Sequence, residues 1–138
     1  MNLDHDRIRD KLQDIHRSLE RLKHFQVSGR ESFLADEDSQ DIARSRLLTA
    51  IEAALNICFH VTAKKLQKIP EDYGDCFRNL GQANLIDASL ADRLADMARF
   101  RNRIVHLYWN IDYGDVYDII ENHLTDLKEY AAQIAGLI

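Results

Sequence analysis

The chain has 138 residues, of which 46% are hydrophobic and 30% charged, with a formal net charge of −5. That length fits one domain, residues 1–138, with a real core, and the acidic balance argues against non-specific nucleic-acid binding through a basic surface. A single proline and five glycines favour long helices over a turn-rich fold.

In chain order, Ile8, Leu12, Ile15, Leu19, Leu22 and Phe25 or Gln26 recur at steps of four and three. This spacing predicts a first helix over about Asp4–Val27, with a narrow apolar seam flanked by charges. Gly29 ends it, and the polar stretch Ser28–Gln40 reads as a connection. A second helix is expected from Asp38 or Ser39, both good N-caps, to about Gln67. Its apolar arc is wide (Ile42, Leu47, Leu48, Ile51, Ala54, Leu55, Cys58, Phe59, Val61), so it should be the most buried helix. Glu52 and His60 interrupt that arc and read as hydrogen-bonded or rim residues.

Pro70 breaks the chain, and Asp72–Gln82 reads as a short helix stopped near Gly81. Asp87 or Ser89 then caps a fourth long segment with an apolar stripe of Leu90, Leu94, Met97 and Ile104. The last helix is expected as one piece from about Gly114 to Ile134 or beyond, on Tyr117, Ile120, Leu124, Leu127, Ala131, Ile134 and Ile138. Period-two alternation is absent throughout. The expected fold is all-α, an antiparallel four-helix bundle with one short additional helix.

Cys58 and Cys76 lack metal-ligand spacing and read as reduced thiols in a cytoplasmic protein. No stretch approaches a membrane span or a signal peptide, so no membrane partner is expected. Phosphate loops, zinc-protease helices and nucleophile elbows are likewise absent, and neither a metal nor a cofactor is expected. Histidines 5, 16, 24 and 123 read as surface or seam residues.

The segment Arg101-Asn102-Arg103-Ile104-Val105-His106-Leu107-Tyr108 departs from this regularity. Arg101 and Tyr108 stand where the stripe should stay aliphatic, while Asn102 and His106, four apart, share another face. Such local breaks tend to mark function. Composition alone would produce Arg-Asn-x3-His-x-Tyr roughly once in a thousand chains like this one, so the pattern is informative. Arg99, Arg101 and Arg103 also form a local basic cluster within the acidic chain.

Arg101-Asn102-x3-His106-x-Tyr108 resembles the signature of the HepT-like family of the HEPN superfamily. Flanking text agrees at Ala50-Ile51-Glu52-Ala53 followed by His60, at Tyr73 through Leu80, and at Tyr113-Gly114-Asp115-Val116-Tyr117. The resemblance implies a small helical homodimer, the toxin of a type VII-like toxin–antitoxin pair. It implies a metal-independent endoribonuclease acting on an RNA substrate, encoded beside a minimal nucleotidyltransferase antitoxin. It also implies that Arg101 and His106 are the catalytic pair, that Asn102 accompanies them, and that Tyr108 is the site the antitoxin modifies with AMP.

Chemistry is consistent with those roles. Histidine side chains can take or give a proton near neutral pH, and an arginine fork suits phosphate oxygens. Each copy offers one such histidine, so a two-fold dimer would supply a second, with Phe100 and Leu107 as candidate contacts. Two readings stand beside this one. Arg101 could simply snorkel from the end of the stripe while His106 meets the helix C-terminal dipole. Alternatively, the chain could be a non-catalytic helical adaptor that binds a nucleotidyltransferase.

Overall fold

The computed structural model describes residues 2–106 and 110–138. Leu107, Tyr108 and Trp109 lie outside the described residues, and with them one candidate dimer contact and the candidate modification site. Every regular element described is helical, as expected: α1 (His5–Ser28), α2 (Arg30–Leu34), α3 (Glu37–Val61), α4 (Tyr73–Gln82), α5 (Ala88–His106), α6 (Tyr113–Asn122) and α7 (Leu124–Ala135). A π-helical turn, Thr62–Leu66, extends α3.

The α1 seam is as its spacing predicts. Ile8, Leu12, Ile15, Leu19, Leu22 and Phe25 are all buried, and the Asp4 carboxylate caps the helix by accepting from Arg7 N–H. Gly29 takes φ 87°, ψ 165°, a region essentially reserved for glycine, and lets the chain turn at once into α2. A short helix therefore stands where the polar composition predicts only a connection. Phe33 of α2 earns it, inserting edge-on between Phe25 (5.6 Å) and Tyr113 (6.4 Å).

Helix α3 is central and packs against α1, α2, α4, α5, α6 and α7. It begins at Glu37, with Asp36 as the N-cap, slightly earlier than expected. Together with its π turn it is long and apolar enough to cross a membrane. Most of that apolar stretch is buried against other helices, so it is the core helix of the domain. Ile42 departs from expectation: it is exposed, while the neighbouring Ala43 takes the buried face of that turn.

Helix α4 ends at Gln82 as expected, though not because of Gly81. Gly81 does not stop α4 but lies inside it, 2.7 Å from Ala91 Cβ if given a Cβ of its own. It is there for helix contact. The actual stop is a Schellman turn: Asn84, at φ 58°, donates to the Gly81 carbonyl (3.1 Å), and Leu85 N–H donates to the Leu80 carbonyl (3.0 Å).

The last helix is not one piece. It breaks at His123 (φ −125°, ψ 2°), where the buried carboxylate of Asp126 meets His123 Nδ1 (3.1 Å) and accepts from Arg93 Nε (2.9 Å). The apolar side chains keep one face across the break, because Tyr117, Ile120, Leu124, Leu127, Ala131 and Ile134 are all buried.

Candidate functional site

Helix α5 carries the motif. Its stripe Leu90, Leu94, Met97 and Ile104 is buried as expected, and Arg101 falls at the edge of that stripe rather than within the core. The Arg101 side chain is only 15% exposed, and its guanidinium is held on three sides. Nε donates to Glu52 Oε1 of α3 at 2.5 Å, and Nη1 donates to Asn102 Oδ1 at 3.1 Å. The ring of Tyr73, the first residue of α4, lies under the guanidinium carbon at 4.8 Å. Three helices therefore converge on one arginine.

Arg101 and Asn102, which the wheel assigns to different faces, are thus bonded to each other. His106 is exposed, and no hydrogen bond joins it to Arg101 or Asn102 among the described residues. On one α-helix, Arg101 and His106 are separated by about 7.5 Å along the axis and diverge by about 140°. One copy therefore presents an arginine toward α3 and α4 and a histidine toward solvent.

The local basic cluster does not act as a unit. Arg99 pairs with Asp96 at 3.0 Å and Arg103 with Asp115 at 3.8 Å, each largely exposed, while Arg101 alone is enclosed. Exposed pairs of that kind contribute little to stability. Phe100 is not available as a dimer contact: it is buried between α5 and α6, with the Arg103 guanidinium 4.9 Å from its ring centre. Val105, which is 41% exposed, is the apolar neighbour of His106 that faces outward.

Sequence reasoning noted Glu52 and His60 as polar interruptions without saying what they meet. Glu52 meets Arg101. His60 is buried, and its Nε2 accepts the N–H of Asp4 at 2.9 Å, tying the start of α1 to α3. Burial pushes its pKa down, with the Arg7 charge adding to the effect. Histidines 5, 16, 24 and 123 are exposed, as expected. Tyr73 carried no signal as a site residue, because its partner lies 28 positions away.

Two cavities lie near the motif helix. The one between α5 and α6, about 360 Å³, is lined by Arg93, Met97, Phe100, Arg103, Asp115 and His123. A second, also about 360 Å³, opens between α1 and α3 along Lys11, Thr49, Glu52 and Asn56 and touches the motif only through Glu52. Arg101, Asn102 and His106 line neither. Within one copy Arg101 is enclosed and His106 is open to solvent. Among the described residues no group of His, Cys, Asp and Glu side chains is arranged to hold a metal ion.

Residues 15–134 match the ribonuclease HepT-like family. The chain belongs to that family. An mRNA nuclease HepT of Shewanella oneidensis is 30% identical over 125 residues, covering 91% of this chain and 93% of the relative. A tRNA nuclease HepT of Aphanizomenon flos-aquae is 29% identical over 127 residues, covering 92% and 86%.

Among solved structures, a tri-AMPylated Shewanella oneidensis HEPN toxin in complex with MNT antitoxin superposes with a TM-score of 0.85 at 32% identity, over 99% of both chains. A toxin–antitoxin crystal structure with AMP-PNP gives 0.82 at 31% identity, over 97% of this chain and 99% of the other. The Bacillus subtilis cytosolic protein YutE, at 18% identity and a TM-score of 0.85, shares the fold. The HepT-like fold thus extends across the whole chain.

Proposed function

We propose that this chain is the ribonuclease toxin of a toxin–antitoxin pair. In this reading it cleaves RNA without a metal, through Arg101 and His106, as a homodimer, and a nucleotidyltransferase antitoxin silences it by adding AMP to Tyr108. The observation that carries the proposal is the state of Arg101. It is enclosed, oriented by Glu52, Asn102 and Tyr73, and sits on the same helix as an exposed histidine. The two HepT relatives are named as nucleases of mRNA and of tRNA, which supports RNA as the substrate class.

The reaction follows from the groups present. The ribose 2′-oxygen attacks the adjacent phosphorus, His106 of one copy accepts its proton, and the bond from phosphorus to the 5′-oxygen breaks as that oxygen takes a proton from the protonated His106 of the other copy. A 2′,3′-cyclic phosphate and a 5′-hydroxyl remain. Arg101 stabilises the charge that builds on the phosphorane oxygens. Because Arg101 and His106 of one copy diverge, the active cleft forms where two copies set their α5 faces together. One copy's arginine can then meet its partner's histidine. Val105, exposed beside His106, belongs to that contact.

Silencing by AMP fits the same geometry. A phosphodiester on Tyr108, seven residues after Arg101 in sequence, would add a bulky anion that competes with RNA phosphate for the arginine. The solved relatives include a tri-AMPylated HEPN toxin bound to its MNT antitoxin. Intact mass after co-expression with the cognate nucleotidyltransferase should show AMP adducts on wild type and at least one fewer on Tyr108→Phe. An equal adduct count on the two proteins would remove Tyr108 from this role.

The test of the enzymatic reading is cleavage of RNA by the purified chain in EDTA, with the products analysed for cyclic phosphate ends. Activity that persists and leaves those ends supports the reading. An inert chain that still binds the nucleotidyltransferase would support the non-catalytic adaptor instead.

A further inference from the structure

The surroundings of Arg101 form a closed chain of contacts. Glu52 and Phe59 lie seven residues apart on α3, two turns along one face. Glu52 accepts Nε–H of Arg101 directly. Phe59 packs edge-on against Tyr73 at 5.8 Å with the rings 82° apart, and Tyr73 in turn lies 4.8 Å from the Arg101 guanidinium.

The start of α4 is pinned as well. Asp72 Oδ1 accepts from Asp75 N–H at 2.7 Å, and Asp75 Oδ2 accepts from Glu71 N–H at 2.9 Å. That reciprocal cap sets where the Tyr73 ring begins. The arginine is therefore gripped by a carboxylate in the guanidinium plane and by an aromatic ring on its face.

We propose that Glu52 and Tyr73 are positioning residues for Arg101, fixing which edge of its guanidinium meets the RNA phosphate. This inference rests on the ribonuclease reading above. A guanidinium has five N–H donors in a rigid plane. Glu52 takes the one on Nε and Asn102 takes one on Nη1, so three remain, all on the terminal nitrogens Nη1 and Nη2. These terminal donors are what a phosphate's two oxygens can engage side by side. An arginine without this grip would have to give up its side-chain freedom on binding substrate, whereas Arg101 has already done so.

The carboxylate of Glu52 is a curious neighbour for a phosphate site, because it repels the substrate. Its presence makes sense as orientation gained at the expense of attraction. The expected signature is therefore unusual. Removing Glu52 should lower kcat while KM for RNA stays level or falls, since an anion has been taken from the site. A residue serving only the stability of the fold would not produce that split.

The experiment compares Glu52→Ala, Glu52→Gln, Tyr73→Leu, Tyr73→Phe and Arg101→Ala in kcat, KM and thermal midpoint on the full-length protein. Glu52→Ala and Tyr73→Leu are expected to lower kcat by about 10- to 10²-fold, the scale on which small misplacements act. Glu52→Gln keeps an acceptor for Nε–H and Tyr73→Phe keeps the ring face, so each should lose less than its harsher counterpart.

If Glu52→Ala and Tyr73→Leu keep kcat within about twofold of wild type while Arg101→Ala is inactive, the positioning role is overturned and the ribonuclease reading survives. An Arg101→Ala protein as active as wild type overturns both. Should Tyr73→Leu fail to fold, the Nε–H resonance of Arg101, assigned by its loss in Arg101→Lys, decides the matter on wild type and Glu52→Gln. A solvent-protected signal supports the grip, and a freely exchanging one overturns it.

Discussion

Gly81 of α4 lies directly against Ala91 of α5: a Cβ on the glycine would come 2.7 Å from the alanine Cβ. Neither atom can rotate away, because each is fixed to its helix backbone. Gly81→Ala would gain up to about 1 kcal/mol in helix propensity, but separating two packed helices costs about 1–3 kcal/mol. The variant should therefore be less stable than wild type, by about 1–2 kcal/mol on balance in urea unfolding. The same separation moves Tyr73 relative to Arg101, so nuclease activity should fall as well. Equal or greater stability would show that the contact relaxes freely.

The pair Arg93–Asp126, buried only at its acidic end, predicts an asymmetry between its two ends. The Asp126 side chain is 6% exposed, whereas those of Arg93 and His123 are 41% and 47% exposed. Arg93→Ala leaves a buried carboxylate with His123 alone and should cost about 2–3 kcal/mol. Adding Asp126→Asn to that variant removes the stranded charge and should restore part of the loss. A double variant no more stable than Arg93→Ala in urea unfolding would contradict this account.

His60 should make stability depend on pH. Burial and the neighbouring charge of Arg7 lower its pKa in the folded chain, and in that state Nε2 serves as an acceptor for Asp4 N–H. The unfolded chain, with a histidine pKa of ~6.5, then binds the proton more readily. The contribution is fully present above about pH 6.5 and is lost as pH falls through that value toward the folded pKa. Wild type should lose more of its thermal midpoint than His60→Gln between about pH 7.5 and 5. Parallel curves would remove His60 from this role.

Much of the fold was legible because amphipathic spacing reports directly on burial. The seam of α1 is the clearest case, and the α5 stripe behaves in the same way. The same signal misleads at His123, where the apolar period runs unbroken through a backbone break. That break accompanies a contact with Arg93, 30 residues earlier in the chain, which local spacing cannot register. Gly81 was legible as important, but its reason was not, since a stop and a close helix contact look alike in one dimension.

At the site, the break in the α5 pattern correctly singled out Arg101. Glu52 and Tyr73 were visible as a polar interruption of α3, as part of a short helix and in the text flanking the motif, but not as partners of Arg101, which lies 49 and 28 positions away. Phe100 misled for a related reason: it lies off the Leu90–Ile104 stripe yet is buried under α6, so the core-facing arc of α5 is wider than one stripe.

The central claim is that Arg101 and His106 carry out RNA cleavage, and single-turnover cleavage by Arg101→Ala and His106→Ala tests it most directly. His106 is exposed and Arg101 sits at the core edge, so both variants should keep wild-type helicity and unfold within a few degrees of it. Loss of a general acid–base group lowers the rate by about 10²–10⁴-fold. The account predicts a loss on that scale for His106→Ala, and inactivity for Arg101→Ala, with the wild-type activity unaffected by EDTA. A folded His106→Ala protein that cleaves RNA as fast as wild type would contradict it.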